Sequence, residues 1–246
     1  MAGTTRRQLL SATALLALGS AWHGAAARTI VDVLPWLPNE AYPPRPAGTG
    51  PLLFLRPAEA AAVDAMLARL IPADDLGPGA KETGGTVFID RQLAGAYGGH
   101  DWLYMEGPFP NDPLPSQGMQ SALTPRQQYR QGLAALADYC RGAFGGKLFQ
   151  QLAAADQDAV LTGLEKGTIK LPNFDGKTLF GTVHANAIEG FFADPVYGGN
   201  QGMAGWALVG FPGSRYDYRD VIAKPNQPYT MPPVSLQGRP EWGKHA

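Results

Sequence analysis

Two histidines, one cysteine and a glycine-rich turn are the places in this chain where chemistry can start. Of the four histidines, His23 lies in the leading segment and His245 is one residue from the end, which leaves His100 and His184. Glu189 follows His184 by about one helical turn, and Asp101 and Asp194 are further carboxylates. A zinc site needs three or four converging ligands, and no spacing here forces convergence. If His184 and Glu189 did meet, with His100 joining them, the chain would be an autonomous periplasmic metal-dependent hydrolase. Ser, His and Asp all occur, but without the G-x-S-x-G elbow of a nucleophilic hydrolase. Cys140 with His184 is a second conceivable pair, yet Cys140 falls mid-helix beside an apolar stripe, where thiols are inert. Gly198-Gly199-Asn200-Gln201-Gly202 has neither a Walker lysine nor the strand–turn–helix setting of a dinucleotide fingerprint. Turn chemistry at positive φ accounts for that run without a ligand.

The cysteine also bounds what the chain can carry. A single cysteine excludes an internal bridge and an all-cysteine iron–sulfur site, and there is no C-x-x-C-H for a c-type haem. In an exported chain an odd cysteine means a bridge to another chain or a free thiol. Twenty basic residues against twenty-one acidic ones give a net charge of -1. No basic stripe suits nucleic acid.

The leading segment supplies the export context. Thr5-Arg6-Arg7-Gln8-Leu9-Leu10 opens an apolar run from Leu9 to Leu18, padded with Ala, Ser, Thr and Gly. It is shorter than the roughly 20 apolar residues of a spanning helix. Small residues at Ala25, Ala26 and Ala27 make a cleavage site. The pair Arg6-Arg7 reads as a twin-arginine (Tat) signal, which a translocase reads as an address and which carries folded cargo to the periplasm. An export signal for folded cargo, on a chain without a convincing cofactor site, implies that the cofactor belongs to a partner.

The elements that must position these groups are mainly helices. Residues 1–27 are the signal peptide, and 28–53 form an extended proline-rich arm, since proline fixes φ and lacks a donor. A helical domain covers 54–216, with long loops, and an extended tail covers 217–246. The first helix spans Pro57 to Leu70, with Val63, Met66, Leu67 and Leu70 at helical spacing and Pro72 as the stop. A second covers Thr86 to Tyr97. A third opens on Thr124-Pro125-Arg126-Gln127, a capping box with proline at the first position, and ends at Gly145-Gly146. A fourth runs from Asp156, as cap, to Lys166. The fifth spans Thr178 to Ala193, with Phe180, Val183, Ala187, Ile188 and Phe191 inward and His184 on or beside that face. Between the second and third helices, Gly98 to Ser121 sets Trp102, Tyr104, Met105 and Phe109 among glycines and prolines. Such a loop is either a binding surface or folds its aromatics onto its own domain.

The stretch Glu189-Gly190-Phe191-Phe192-Ala193-Asp194-Pro195, then Tyr197-Gly198-Gly199-Asn200, Gly205-Trp206 and Gly210-Phe211-Pro212-Gly213, resembles the signature of gluconate 2-dehydrogenase subunit 3. The twin-arginine start and the early helix ending at Ile71-Pro72 are similar too. This resemblance implies the small subunit of a membrane-bound, FAD-dependent sugar or polyol dehydrogenase. Its partners would be a large flavoprotein subunit holding FAD, in some cases with an iron–sulfur cluster, and a multihaem cytochrome c subunit. The complex would sit in the periplasm, peripheral on the cytoplasmic membrane through the cytochrome. The small subunit would have no catalytic, cofactor or metal residues of its own, and would supply the export signal and support maturation of the flavoprotein. On this reading Cys140 is a candidate inter-subunit disulfide, and Trp102, Tyr104, Phe109 and Trp206 are candidate interface residues.

Overall fold

α1 (Pro57–Leu70) is set by local signals. Pro57 fills the first helical position, and Glu59 accepts the Arg56 N–H at 2.8 Å. Val63, Met66 and Leu67 are wholly buried along one stripe. The computed structural model describes residues 50–110, 114–118, 120–215, 218–229 and 232–236. Arg6, Arg7, Ala25 and Ala27, and the arm up to residue 49, lie outside the described residues.

α2 (Gly85–Ala94) and α3 (Ala96–Gly99) replace the single helix expected over Thr86 to Tyr97. The break falls at Gly95, and a residue distant in sequence holds it. Arg126 donates to the carbonyls of Leu93 at 3.2 Å and Gly95 at 3.0 Å, which satisfies the open C-terminal end of α2. α4 (Pro125–Ala143) begins as expected, with the Gln127 side chain accepting the Thr124 N–H at 2.9 Å. Gly145 and Gly146, both at positive φ, turn the chain away.

α5 (Ala154–Lys166) starts two residues before Asp156, which sits in the first turn rather than at the cap. An acid there faces the positive end of the helix, so its sequence signal was real but its register was misjudged. α6 (Gly176–Phe192) likewise starts before Thr178, because Asp175 accepts the Thr178 N–H at 2.8 Å and caps the helix. α7 (Ala204–Val209) and α8 (Arg219–Ile222) are short. Among the described residues the only β pairing is in isolated bridges, so the fold is mainly α.

α6 is the central element and packs against α5, α2, α4 and α1. Small residues permit the approach: a side chain at Gly190 would crowd the Phe88 ring, and one at Gly132 of α4 would crowd Leu179. The stripe on α6 differs from the expected one. Ile188 is 42% exposed and Phe180 half-buried, while Asn186 and Gly190 face inward. Asn186 is tolerated because it is satisfied. Its Oδ1 accepts the Tyr129 hydroxyl at 2.9 Å, and its Nδ2 donates to the Tyr97 hydroxyl at 3.1 Å and to Glu189 at 2.8 Å.

Two buried carboxylates tie the ends of the domain to this core. Asp90 of α2 is fully buried and accepts the backbone N–H groups of Leu53, Phe54 and Leu55 at 2.7, 2.9 and 2.8 Å. Arg91 bonds the same carboxylate at 2.7 Å and the Pro51 carbonyl at 3.0 Å. Phe54 is further held under the Arg130 guanidinium, 4.3 Å from ring centroid to carbon, and Arg130 also pairs with Glu59. At the other end, Asp194 accepts the Leu236 N–H at 2.7 Å and the Ser235 hydroxyl at 2.9 Å. Val234 pairs with Gly213, its carbonyl accepting the Ser214 N–H at 2.6 Å. The tail expected to be extended therefore contains α8 and a segment seated on its own domain.

Candidate functional site

The groups that suggested metal chemistry are not brought together. His184 is exposed on α6 and stacks on Phe180, with ring centroids 5.6 Å apart. Glu189, five residues on, points about 140° away around the helix and is held by Asn186. His100 lies elsewhere, buried at the end of α3 with φ 55, its Nδ1 3.2 Å from the Met105 sulfur. Burial holds its pKa below the ordinary histidine value. Asp194 is occupied by the tail. Among the described residues no three His, Cys, Asp or Glu side chains gather as a metal would require. The hydrolase alternative thus fails on geometry: its ligands diverge.

Cys140 does not reach the surface. Its side chain has 0% exposure within the apolar core, and burial pushes the thiol from 9.0 up to about 11. A bridge to another chain needs an accessible sulfur, which α4 does not present. We expect Cys140 to be silent to a thiol reagent in the native chain and to react on unfolding, and the chain to migrate identically with and without reductant. A reductant-sensitive band of higher mass would contradict this. The same burial has a pH consequence. Between pH 9 and 11 the folded state keeps a proton that the unfolded thiol releases, so stability is full below pH 9 and falls as pH rises. Tyr129, buried and raised well above 10.0, extends the loss upward. Cys140→Ala should flatten the lower part of that slope in thermal melts taken across pH 8 to 11.

The glycine-rich signature after α6 forms a packing knot. Gly199 lies on the Gly190 carbonyl and Gly205 on the Phe191 carbonyl, so neither has room for a methyl group. Asn200, wholly buried at φ 46, donates from Nδ2 to the Ala193 carbonyl at 2.9 Å and accepts the Gly205 N–H at 2.8 Å. The Gln201 N–H reaches the Thr83 carbonyl at 2.9 Å, which joins the knot to the loop before α2. Asn200 and Gln201 thus serve the packing of the domain itself.

The candidate interface residues divide. Trp206 is 4% exposed, its indole N–H donating to the Phe192 carbonyl at 2.7 Å and its ring meeting Phe211 edge-on. It is a core residue, placed inward by α7 and unavailable to a partner. Trp102 and Tyr104 do face solvent, at 85% and 81% exposure, while Phe109 is half-buried in a cleft of about 360 Å³ formed by the same loop. Sequence reading missed Asp90, Asn186 and Asp194 as structural hubs. The available signal was a polar side chain directly beside an apolar stripe residue, as in Ile89-Asp90 and Asn186-Ala187.

Fold and site together define a helical domain whose motif residues serve its own packing and whose aromatic loop stands clear of it. Among the described residues no helix is long and apolar enough to cross a membrane. The chain belongs to the gluconate 2-dehydrogenase subunit 3 family, whose model matches residues 57–213. It is therefore a small subunit of an oxidoreductase complex of that type. Neither the curated proteins nor the solved structures give a match.

Proposed function

We propose that this chain is the non-catalytic small subunit of a periplasmic, membrane-bound, FAD-dependent gluconate 2-dehydrogenase-type complex. It supplies the twin-arginine signal that takes the folded flavoprotein across the membrane, and it supports that subunit's assembly. FAD belongs to the flavoprotein, in some complexes with an iron–sulfur cluster, and haem c to the cytochrome subunit that holds the complex at the membrane. The observation that carries this reading is family membership over residues 57–213 on a chain that opens with Arg6-Arg7. The divergence of His184, Glu189 and His100 speaks against the metal-hydrolase alternative. The test is Arg6→Lys combined with Arg7→Lys, followed by fractionation. Both this chain and the flavoprotein should remain in the cytosol, and periplasmic gluconate-dependent dye reduction should be lost. Normal export of the flavoprotein in that variant would remove the escort role.

A further inference from the structure

The loop after α3 holds three consecutive large side chains in water from a fixed base. Trp102, Leu103 and Tyr104 are all exposed, the two aromatics by more than four-fifths. Beneath them the backbone is tied down. The His100 and Asp101 N–H groups bond the Tyr97 and Ala96 carbonyls at 3.1 Å, and the Leu103 N–H bonds the His100 carbonyl at 2.9 Å. The His100 ring is buried against Met105. Monomeric proteins seldom leave contiguous apolar side chains in solvent, and rigid aromatics that lose little entropy on binding make good anchors.

Charge selects the kind of partner. From residue 98 to residue 123 the sequence has Asp101, Glu106 and Asp112 and no lysine or arginine, and the nearby Arg126 is turned to the carbonyls of Leu93 and Gly95. A loop that seats in an anionic bilayer surface carries the opposite sign. An acidic rim around Trp and Tyr instead suits a protein pocket edged with arginine or lysine, which also stacks on aromatic faces. Two aromatics remove roughly 300–500 Å² on full burial. That is about half of the roughly 800 Å² that each partner gives to a standard interface.

We infer that this loop anchors the chain to the dehydrogenase subunit of its complex, with Trp102 and Tyr104 entering an apolar pocket whose basic rim faces Asp101 and Glu106. The inference rests on the proposed function, and its test separates the two. The full chain is co-expressed with the dehydrogenase subunit, and retention and affinity are measured by pull-down. Anchors of this kind weaken binding about thirty-fold each on truncation, so Trp102→Ala with Tyr104→Ala should lose the dehydrogenase at concentrations where the wild type holds it. Asp101→Asn with Glu106→Gln should slow association and flatten its salt dependence. A double aromatic variant that holds the dehydrogenase like the wild type overturns the loop and leaves the subunit assignment standing. A wild-type chain that never holds it overturns both. If the aromatic variant melts early, p-benzoylphenylalanine in place of Leu103 decides: a cross-link to the dehydrogenase supports the loop, and none overturns it. Binding to phosphatidylcholine–phosphatidylglycerol vesicles that disappears in the aromatic variant, with the complex intact, assigns the loop to lipid and overturns it as well.

Discussion

Asp90→Ala should cost about 3–5 kcal/mol in urea unfolding, the largest loss expected from any change at one polar side chain in the described fold. Three backbone N–H groups, at Leu53, Phe54 and Leu55, converge on this carboxylate, and Arg91 neutralises it. The variant leaves three backbone donors without their acceptor, that of Leu55 in a buried position, while Arg91 keeps its bond to the Pro51 carbonyl. A domain of this kind holds about 5–15 kcal/mol in total, so the loss is a large share of it. Asp158→Ala is the control. Its two 2.7 Å bonds to Arg69 look equally strong, but both partners are substantially exposed, so solvent takes over their hydrogen bonds. A loss under about 1 kcal/mol for Asp90→Ala would mean that the 53–55 segment is not held by this carboxylate.

Gly199→Ala should destabilise by about 3 kcal/mol or more, through a different mechanism. The added methyl would overlap the Gly190 carbonyl oxygen and lie against the Gly190 Cα. Both sides of the clash are backbone, so no rotamer change relieves it and α6 must separate from the knot. Gly202→Ala isolates this effect. Gly202 has φ +68 and open space around it, so an alanine there carries only the left-handed penalty of about 1–2 kcal/mol. Chemical denaturation of the two variants side by side gives the comparison. Equal losses would mean that conformation, rather than close approach, fixes the glycines of the signature.

These effects mark where the sequence could and could not be read. The start of α1 at Pro57 and the box before α4 were legible because proline, Glu59 and Gln127 act on groups within three residues of themselves. The mainly α class followed from the same local periodicity. The break at Gly95 was not legible, because Arg126 caps α2 from 31 residues away. Ile188 was placed inward on hydrophobicity, while Asn186 took that ground because Tyr97 and Tyr129 happened to face it. Trp206 was read as an anchor because aromatic content alone does not distinguish a core indole from a surface one; the Phe192 carbonyl that accepts its N–H decides it. For the loop after α3 the sequence left a binding surface and self-packing both open, and the structure turns Trp102 and Tyr104 to solvent while Phe109 is half-buried. The candidate metal ligands diverge because the α-helical period separates His184 from Glu189 on α6, and His100 lies at the end of α3.

The two buried aspartates also set where the chain can be cut. The family match covers 57–213, yet Asp90 takes its donors from residues 53–55 and Asp194 from Ser235 and Leu236. A fragment excised at the matched boundaries would keep both acids and lose most of what each one binds. Asp90 would keep Arg91 but lose its three backbone donors, and Asp194 would lose the tail groups that bond it. The smallest self-contained unit is therefore wider than the stretch its relatives share. It begins at Leu53 and includes a return strap from far downstream, so the margins of this domain supply the donors that its buried acids need.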